Sequence, residues 1–461
     1  MNNPVGRNQP NNVSDYIYDS ILLESERINV EIDLQKVVSD LEIYESLDRP
    51  YLTGKIVLAD NNNLIEQADI LGGEKISLSL KSTIPNAPLI KKRFYIDEIM
   101  FSRKSGDHTE VAGFHLIEDI CFISNLFNLN RYYNDNSKKI IEDIGKEFLD
   151  KEIACPNVTN ESSTVIVPNM EPLEAMKWIS ASMSSADGYP YYLFSTFAGS
   201  KIALYDLGTM ISSESINDDF PFRNYQTAAQ SDNPKIGSRV IKDYRFEKSE
   251  NLYKLIDRGY VGAEYEFIDT LTNKKNNFQY DVVEELVKPL VDILPARQKN
   301  PTITPAYKHN EKSLNEFKSV KNTFIGGSNA FRTSTEFLTS YSENKTTSGY
   351  KDGIISLSAH NILQKCPLTF VVNGLEFIAT KGHNTIGNNV SVEFLKSETN
   401  SASSSRFLDM KKSGQYLIYA TKHMFKKEKY EIQLTGVKLA NMDIPTWISF
   451  TVIIQDGLLV K

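Results

Sequence analysis

Apolar and polar residues alternate through much of the chain, a period of two that marks half-buried strands. Ile28, Val30, Ile32 and Leu34 form one run, Leu52, Gly54, Ile56 and Leu58 a second, and Ile76, Leu78 and Leu80 a third. Residues 94–101 and 111–117 follow, separated by Ser105-Gly106-Asp107, and read as a hairpin. Five or six strands with short turns in about 100 residues predict a small antiparallel barrel or sandwich.

The period changes after Asn134. Ile140, Ile141, Ile144 and Phe148 recur at three and four positions, predicting an amphipathic helix over 137–149 with Asp135 or Ser137 as its cap. A second helix starts at Pro172, with Leu173, Met176, Trp178 and Ile179 on one face and Glu171 and Glu174 near its amino end. Strand patterns at 191–197 and 201–207 complete an α/β module.

Strands are again predicted around Tyr244 and Phe246, over 252–256 and over 260–268, then a short helix at 282–291 stopped by prolines. A surface connection covers 296–312, and 313–349 carries no readable period. Strands return at 368–380 and 389–395, a flexible loop is expected at 397–405, and a hairpin pairs 414–423 with 430–439.

An internal echo runs through these strands. Pro50-Tyr51-Leu52-Thr53 is matched by Pro367-Leu368-Thr369, the Leu71-Gly72-Gly73 turn by Ile386-Gly387, and Met100-Phe101-Ser102-Arg103-Lys104 by Met424-Phe425-Lys426-Lys427. Each copy leads into a strand.

The length of 461 residues allows two to four domains, and 41% hydrophobic with 24% charged residues is the composition of a folded protein. A net charge of −8 supplies no basic footprint for reading nucleic acid, although a weakly repelling wall would suit DNA that only passes by. Cys121, Cys155 and Cys366 lie far apart, so neither a zinc site nor a disulfide framework is indicated, which fits assembly in a reducing cytoplasm. The polar, Asn-rich start is not a signal peptide but an expected flexible arm. The apolar stretch Trp447 to Ile454 is far shorter than the roughly 20 residues that span a bilayer.

Candidate chemistry is sparse. His108, His115, His309, His360, His383 and His423 show no metal-binding spacing. Glu118-Asp119 and Glu284-Glu285 are the acid pairs a glycosidase reading would use, but sequence neighbours on a strand point apart and cannot share a cleft. Gly72-Gly73 and Gly326-Gly327 read as turns, Asn157 and Asn160 as chance glycosylation matches, and Lys91-Lys92-Arg93 as a solvated strand start. We therefore expect no catalytic, cofactor-binding or metal-binding residues and no cofactor. The tail from Ile444 to Val460 is apolar on both faces, so it is expected to dock on a neighbouring subunit or partner.

Tyr44-Glu45-Ser46-Leu47, Pro50-Tyr51-Leu52-Thr53-Gly54 and Gly72-Gly73-Glu74 resemble the first tube domain of baseplate hub proteins of contractile-tailed, T-even-like phages. The hairpin from Gly414 through His423 to Tyr430 resembles a second signature of these hubs and of the VgrG proteins of type VI secretion. Pro172 to Trp178, Tyr191 to Phe194 and Leu204 to Leu207 resemble the hub's middle region, so the likeness spans residues 25–445. It implies an α+β, mainly β chain: a flexible arm at 1–24, a first tube β-barrel domain at 25–132, a middle α/β domain at 133–235, a second tube domain at 236–282 plus 350–445, an insertion at 283–349 and a docking tail at 446–461.

The resemblance further implies a structural homotrimer with pseudo-six-fold symmetry that joins a hexameric tail tube to a trimeric central spike around a DNA channel. Its partners would be the spike, tube or tube-initiator proteins and other baseplate proteins, without membrane insertion, in the virion's tail baseplate. Two repeats per chain let three chains match a six-fold tube. The alternatives are a virion-associated cell-wall hydrolase, or the hub of a type VI or contractile bacteriocin apparatus; the lack of a fused spike after residue 445 favours the phage setting.

Overall fold

The computed structural model describes residues 16–442 apart from 28, 62–68, 106–108, 158–161, 182, 186–187, 218–219, 225–238, 247–251, 270–273, 296–297, 303–307, 314–318, 326–348, 364–366, 380–384, 397–407 and 427–428, together with 453–455 and 458–460. Seven strands come first: β1 (Tyr16–Ser25), β2 (Val30–Asp33), β3 (Val38–Ser46), β4 (Thr53–Asp60), β5 (Lys75–Ser82), β6 (Ile90–Lys104) and β7 (Glu110–Glu118). β1 lies partly inside the arm expected at 1–24. Its inward residues Ile21 and Leu23 are buried, so the ordered fold begins earlier than the polar flank suggested.

The middle segment alternates helices and strands: α1 (Asp119–Ser124), β8 (Leu129–Asn136), α2 (Ser137–Leu149), β9 (Ile153–Ala154), β10 (Ser162–Met170), α3 (Pro172–Ser180), β11 (Tyr191–Ser195), β12 (Ile202–Asp206) and α4 (Leu207–Ser212). α2 occupies the predicted span, and Asn136 is its cap, accepting from the Lys138 N–H at 2.9 Å in place of Asp135 or Ser137. Ile140, Ile141 and Ile144 from α2 pack with Met176 and Ile179 of α3 and Leu193 of β11 in one core.

Then follow β13 (Phe222–Arg223), β14 (Asp243–Phe246), α5 (Leu252–Asp257), β15 (Gly262–Asp269), β16 (Lys274–Asp281), a π-helical turn Val283–Val287 running into α6 (Lys288–Asp292), β17 (Asn300–Pro301), β18 (Lys308–His309), β19 (Lys312–Ser313), β20 (Ser319–Ile325) and α7 (Gly349–Leu363). The strand expected at 252–256 is instead helix α5. Among its described side chains only Leu255 is buried, Tyr253 is exposed, and Gly259 at φ +80° follows as a helix-terminating residue. A short apolar run does not by itself distinguish strand from helix. The helix expected at 282–291 is present, but Pro289 does not stop it: the proline sits in the first turn of α6, where its missing N–H is not needed. α7 lies just past the unreadable stretch, with Ile354, Ile355, Ala359, Ile362 and Leu363 buried.

The chain continues through β21 (Leu368–Asn373), β22 (Asn389–Glu393), β23 (Gly414–Lys426), β24 (Lys429–Val437) and β25 (Ala440–Asn441). Two three-residue strands, Ile453–Gln455 and Leu458–Val460, pair in the expected docking tail; the rest of that tail, from 443, lies outside the described residues.

Most strands predicted for the two tube domains join one sheet, whose hydrogen-bonded path runs β14-β21-β24-β23-β3-β4-β7-β6-β5-β1-β2, with β22 on β23 and β13 on β22; the one predicted at 260–268 does not. Among the described residues no sheet closes on itself, so the architecture is mainly β with a large, open, predominantly antiparallel sheet. Alternation dictates which side of a strand is buried, not whether a sheet closes. β15, β16 and β20 form a separate sheet, although Tyr265 and Tyr280 share the second repeat's core.

Within the long sheet the same pairing order occurs twice. The first repeat reads β3-β4-β7-β6-β5, the second β14-β21-β24-β23-β22, and every neighbour in both is antiparallel. The echoed turns coincide in detail. Gly73 (φ +86°) donates its N–H to Ile96 O at 2.7 Å, and Gly387 (φ +80°) donates to Ile418 O at 2.9 Å. Ile96 N–H returns to Glu74 O and Ile418 N–H to Asn388 O, both at 2.9 Å, and each long strand bulges just after that isoleucine. Left-handed backbone at this corner favours glycine in both copies. The register also shows complementary swaps: Gly54 faces Leu116, whereas Leu368 faces Gly436.

Candidate assembly surface

The two repeats meet where the second half of β23 pairs with β3, from Ala420 opposite Ser46 to Lys426 opposite Asp40. Glu45 on β3 and His423 on β23 are both buried there, with Glu45 Oε1 3.3 Å from His423 Nε2. The carboxylate also accepts from the Thr421 hydroxyl at 2.7 Å and from the Phe197 N–H, while His423 Nδ1 lies 2.7 Å from the Tyr430 hydroxyl. Burial raises the Glu45 carboxyl's pKa, but the His423 charge and hydrogen bonds outweigh it and hold the group down to about 2. Burial and then the Glu45 charge push the Tyr430 hydroxyl well above the usual tyrosine range.

Phe425 and Tyr430, from the tip of the β23–β24 hairpin, stack at 4.4 Å and sit in the first repeat's core beside Phe94 and Phe114. At the solvent side, Lys422 reaches Glu42 at 2.9 Å. Leu47 N–H donates to Tyr419 O at 3.0 Å, and the Tyr419 hydroxyl donates to Asp48. The junction therefore combines ladder bonds, a buried ion pair and shared aromatic core.

Sequence reasoning gave His423 no more than a strand-end place and did not single out Glu45's chemistry. A signal was present: Leu41, Ile43, Glu45 and Leu47 share one parity, as do Thr421, His423 and Phe425. An ionisable residue at an inward position calls for a buried partner.

The acid pairs have structural positions. Glu118 is buried, accepts from the Leu52 N–H at 2.8 Å through one oxygen and pairs with Lys92 Nζ at 3.1 Å through the other. Asp119 begins α1 and lies 3.4 Å from Arg93, so part of the basic run at 91–93 answers these acids along a cleft of about 640 Å³. Glu284 pairs along its own helical turn with Lys288. Glu118→Gln should lower stability by about 1–3 kcal/mol, because a charged acceptor of two buried bonds becomes a neutral amide; an unchanged denaturant midpoint would contradict this.

His115 lies 3.1 Å from Asp97 and His360 3.4 Å from Asp48, while His108 and His383 fall outside the described residues. Cys121 and Cys155 are part-buried free thiols, Cys121 being pushed up to about 11 by burial; Cys366 and Gly326-Gly327 lie outside the described residues. Among the described residues no cluster of His, Cys, Asp or Glu could hold a metal, and no helix is long and apolar enough to cross a membrane.

The long mixed chain, with its repeated strand order and interposed α/β segment, shares its fold with a tail protein of known structure, in line with the sequence resemblance. The structure that establishes this is the tail protein from Neisseria meningitidis MC58, with 11% identity, a TM-score of 0.51, and coverage of 92% of this chain and 97% of that one. Weaker likenesses include the 43 kDa tail protein of prophage MuSo2 from Shewanella oneidensis (9% identity, 91% and 98% coverage, TM-score 0.47). The Francisella PdpA-VgrG complex also matches, at 9% identity, covering 96% of this chain and 56% of that one with a TM-score of 0.45. At such identities the likeness is one of fold. No protein-family model and no curated protein matches the sequence.

Proposed function

We propose that this chain is a structural hub of a contractile-tail baseplate, without catalytic activity, located in the virion tail and assembled in the host cytoplasm. Three copies form a ring of six tube repeats that joins the hexameric tube to the trimeric spike and leaves a channel for DNA. The observation that carries the reading is the doubled strand order within one chain, on a fold shared with a tail protein. Residues 25–132 make the first tube domain, 133–235 the middle domain, and 236–282 with 350–445 the second, with 283–349 inserted and 446–461 as docking tail. Each domain supplies wall and contact surface.

The hydrolase alternative is weakened by Glu118, whose two oxygens are engaged by Leu52 and Lys92 inside the fold. Purified protein should release no fragments from peptidoglycan. Light scattering and native mass measurement should give a trimer, alone or with recombinant spike; a species that stays monomeric with spike and tube protein present would overturn the hub reading. Truncation after Met442 should weaken spike or trimer binding, and unchanged binding would remove the tail's docking role.

A further inference from the structure

The basic run at 91–93 is divided by the strand that carries it. Lys92 shares the parity of the buried Ile90 and Phe94 and is spent on the buried Glu118 carboxylate. Lys91 and Arg93 lie across from Ser79 and Ser77 on the opposite side of β6, roughly 7 Å apart along the strand. Both line the cleft of about 640 Å³ where the first repeat meets the middle segment, which contributes Lys151, just past α2, and the 197–200 loop.

The acids of this cleft are engaged. Glu118 is held by Leu52 N–H and Lys92, Asp119 meets Arg93 at 3.4 Å, and Asp19 accepts from the Ser79 hydroxyl at 3.3 Å. Its cations are not all used: Lys91 and Lys151 have no ion-pair partner among the described residues, and Arg93 keeps 60% of its side chain exposed. Four cations against three acids leave the cleft positive in a chain of net charge −8.

We infer that this cleft is a docking site for an extended acidic segment of another protein, whose carboxylates at alternate positions are bound by Lys91, Arg93 and Lys151. Residues two apart in an extended peptide repeat at the same roughly 7 Å as Lys91 and Arg93, so one segment answers both. The volume suits a few residues of peptide, whereas nucleic acid calls for a long basic stripe that this acidic chain does not supply. Neither end of the chain offers such a segment: 1–15 contains Asp15 as its one acid, and 443–461 contains only Asp443 and Asp456, far apart. The site lies within a single chain, so it goes beyond the hub reading and needs no ring.

Anisotropy of a fluorescent Glu-Ser-Glu-Ser-Glu peptide, titrated with the full chain, tests this. The peptide should bind saturably, and added salt should weaken it. Lys91→Glu with Lys151→Glu should weaken binding roughly 10-fold or more with the melting transition unchanged, because neither lysine is in an ion pair. Lys429→Glu, at the β23–β24 hairpin and outside the cleft, should bind as wild type does. A peptide that does not bind, or that Lys429→Glu weakens equally, overturns the site. Displacement by an equal concentration of inorganic phosphate, or by an oligonucleotide of equal charge, overturns the acidic segment as occupant. Should the double charge reversal fail to fold, Lys91→Gln with Lys151→Gln gives the second measurement, and undiminished binding there overturns the two lysines' role.

Discussion

Glu45→Ala should lower the unfolding free energy by about 3–5 kcal/mol, among the largest losses available to a single substitution in this chain. The change removes the acceptor for the Thr421 hydroxyl and the Phe197 N–H and leaves His423, fully buried, without its counter-ion. Both repeats should weaken together, because the lost group lies on the ladder that joins them. Glu45→Gln refines the test. The folded carboxyl titrates near 2, below its ordinary value of 4.5, so its contribution is complete above about 4.5 and disappears as pH falls towards 2. Urea midpoints taken between pH 7 and pH 3 should fall with acid less steeply for Glu45→Gln than for wild type across that window. Equal slopes would show that the fold does not hold the Glu45 carboxyl below its ordinary range.

Phe425→Ala should cost about 3–5 kcal/mol, and much of the damage should appear in the first repeat. Phe425 belongs by sequence to the second repeat, yet it packs in the first repeat's core, with Tyr16 at 5.0 Å and Tyr430 at 4.4 Å between ring centroids. Hydrogen exchange read by mass spectrometry should therefore show faster exchange in β1 and β3 than in β21 and β22. Loss confined to β21–β24 would mean that the repeats have separate cores.

The parts of this fold that were legible in the sequence are those set by local pattern. Alternation marked β4, β7, β23 and β24; helical spacing marked α2 and α3; and Gly72-Gly73, echoed by Gly387, marked the turn that both repeats share. Pairing between distant strands leaves no local trace, which is why the junction of Glu45 with His423 had to be seen in three dimensions. α5 was misread because five apolar-rich residues fit either period, and α7 was missed because Leu357 exposes an apolar side chain on its outer face and blurs its pattern. The repeat was visible as an echo, but its register was not: Leu52 looked like the match for Leu368, whereas the ladders put Gly54 there.

The β3·β23 ladder also has a consequence in time. Glu45 and Thr421 are 376 positions apart, so at 5–20 residues per second of synthesis the first repeat waits roughly 20–75 s before the strand that covers its edge has been made. During that interval β3 has no β23 to pair with, and the first core lacks Phe425 and Tyr430. The nascent first half is thus a chain with an open strand edge and an incomplete interior, exposed to other nascent copies, and the carboxyl-terminal hairpin is the piece whose arrival ends that exposure.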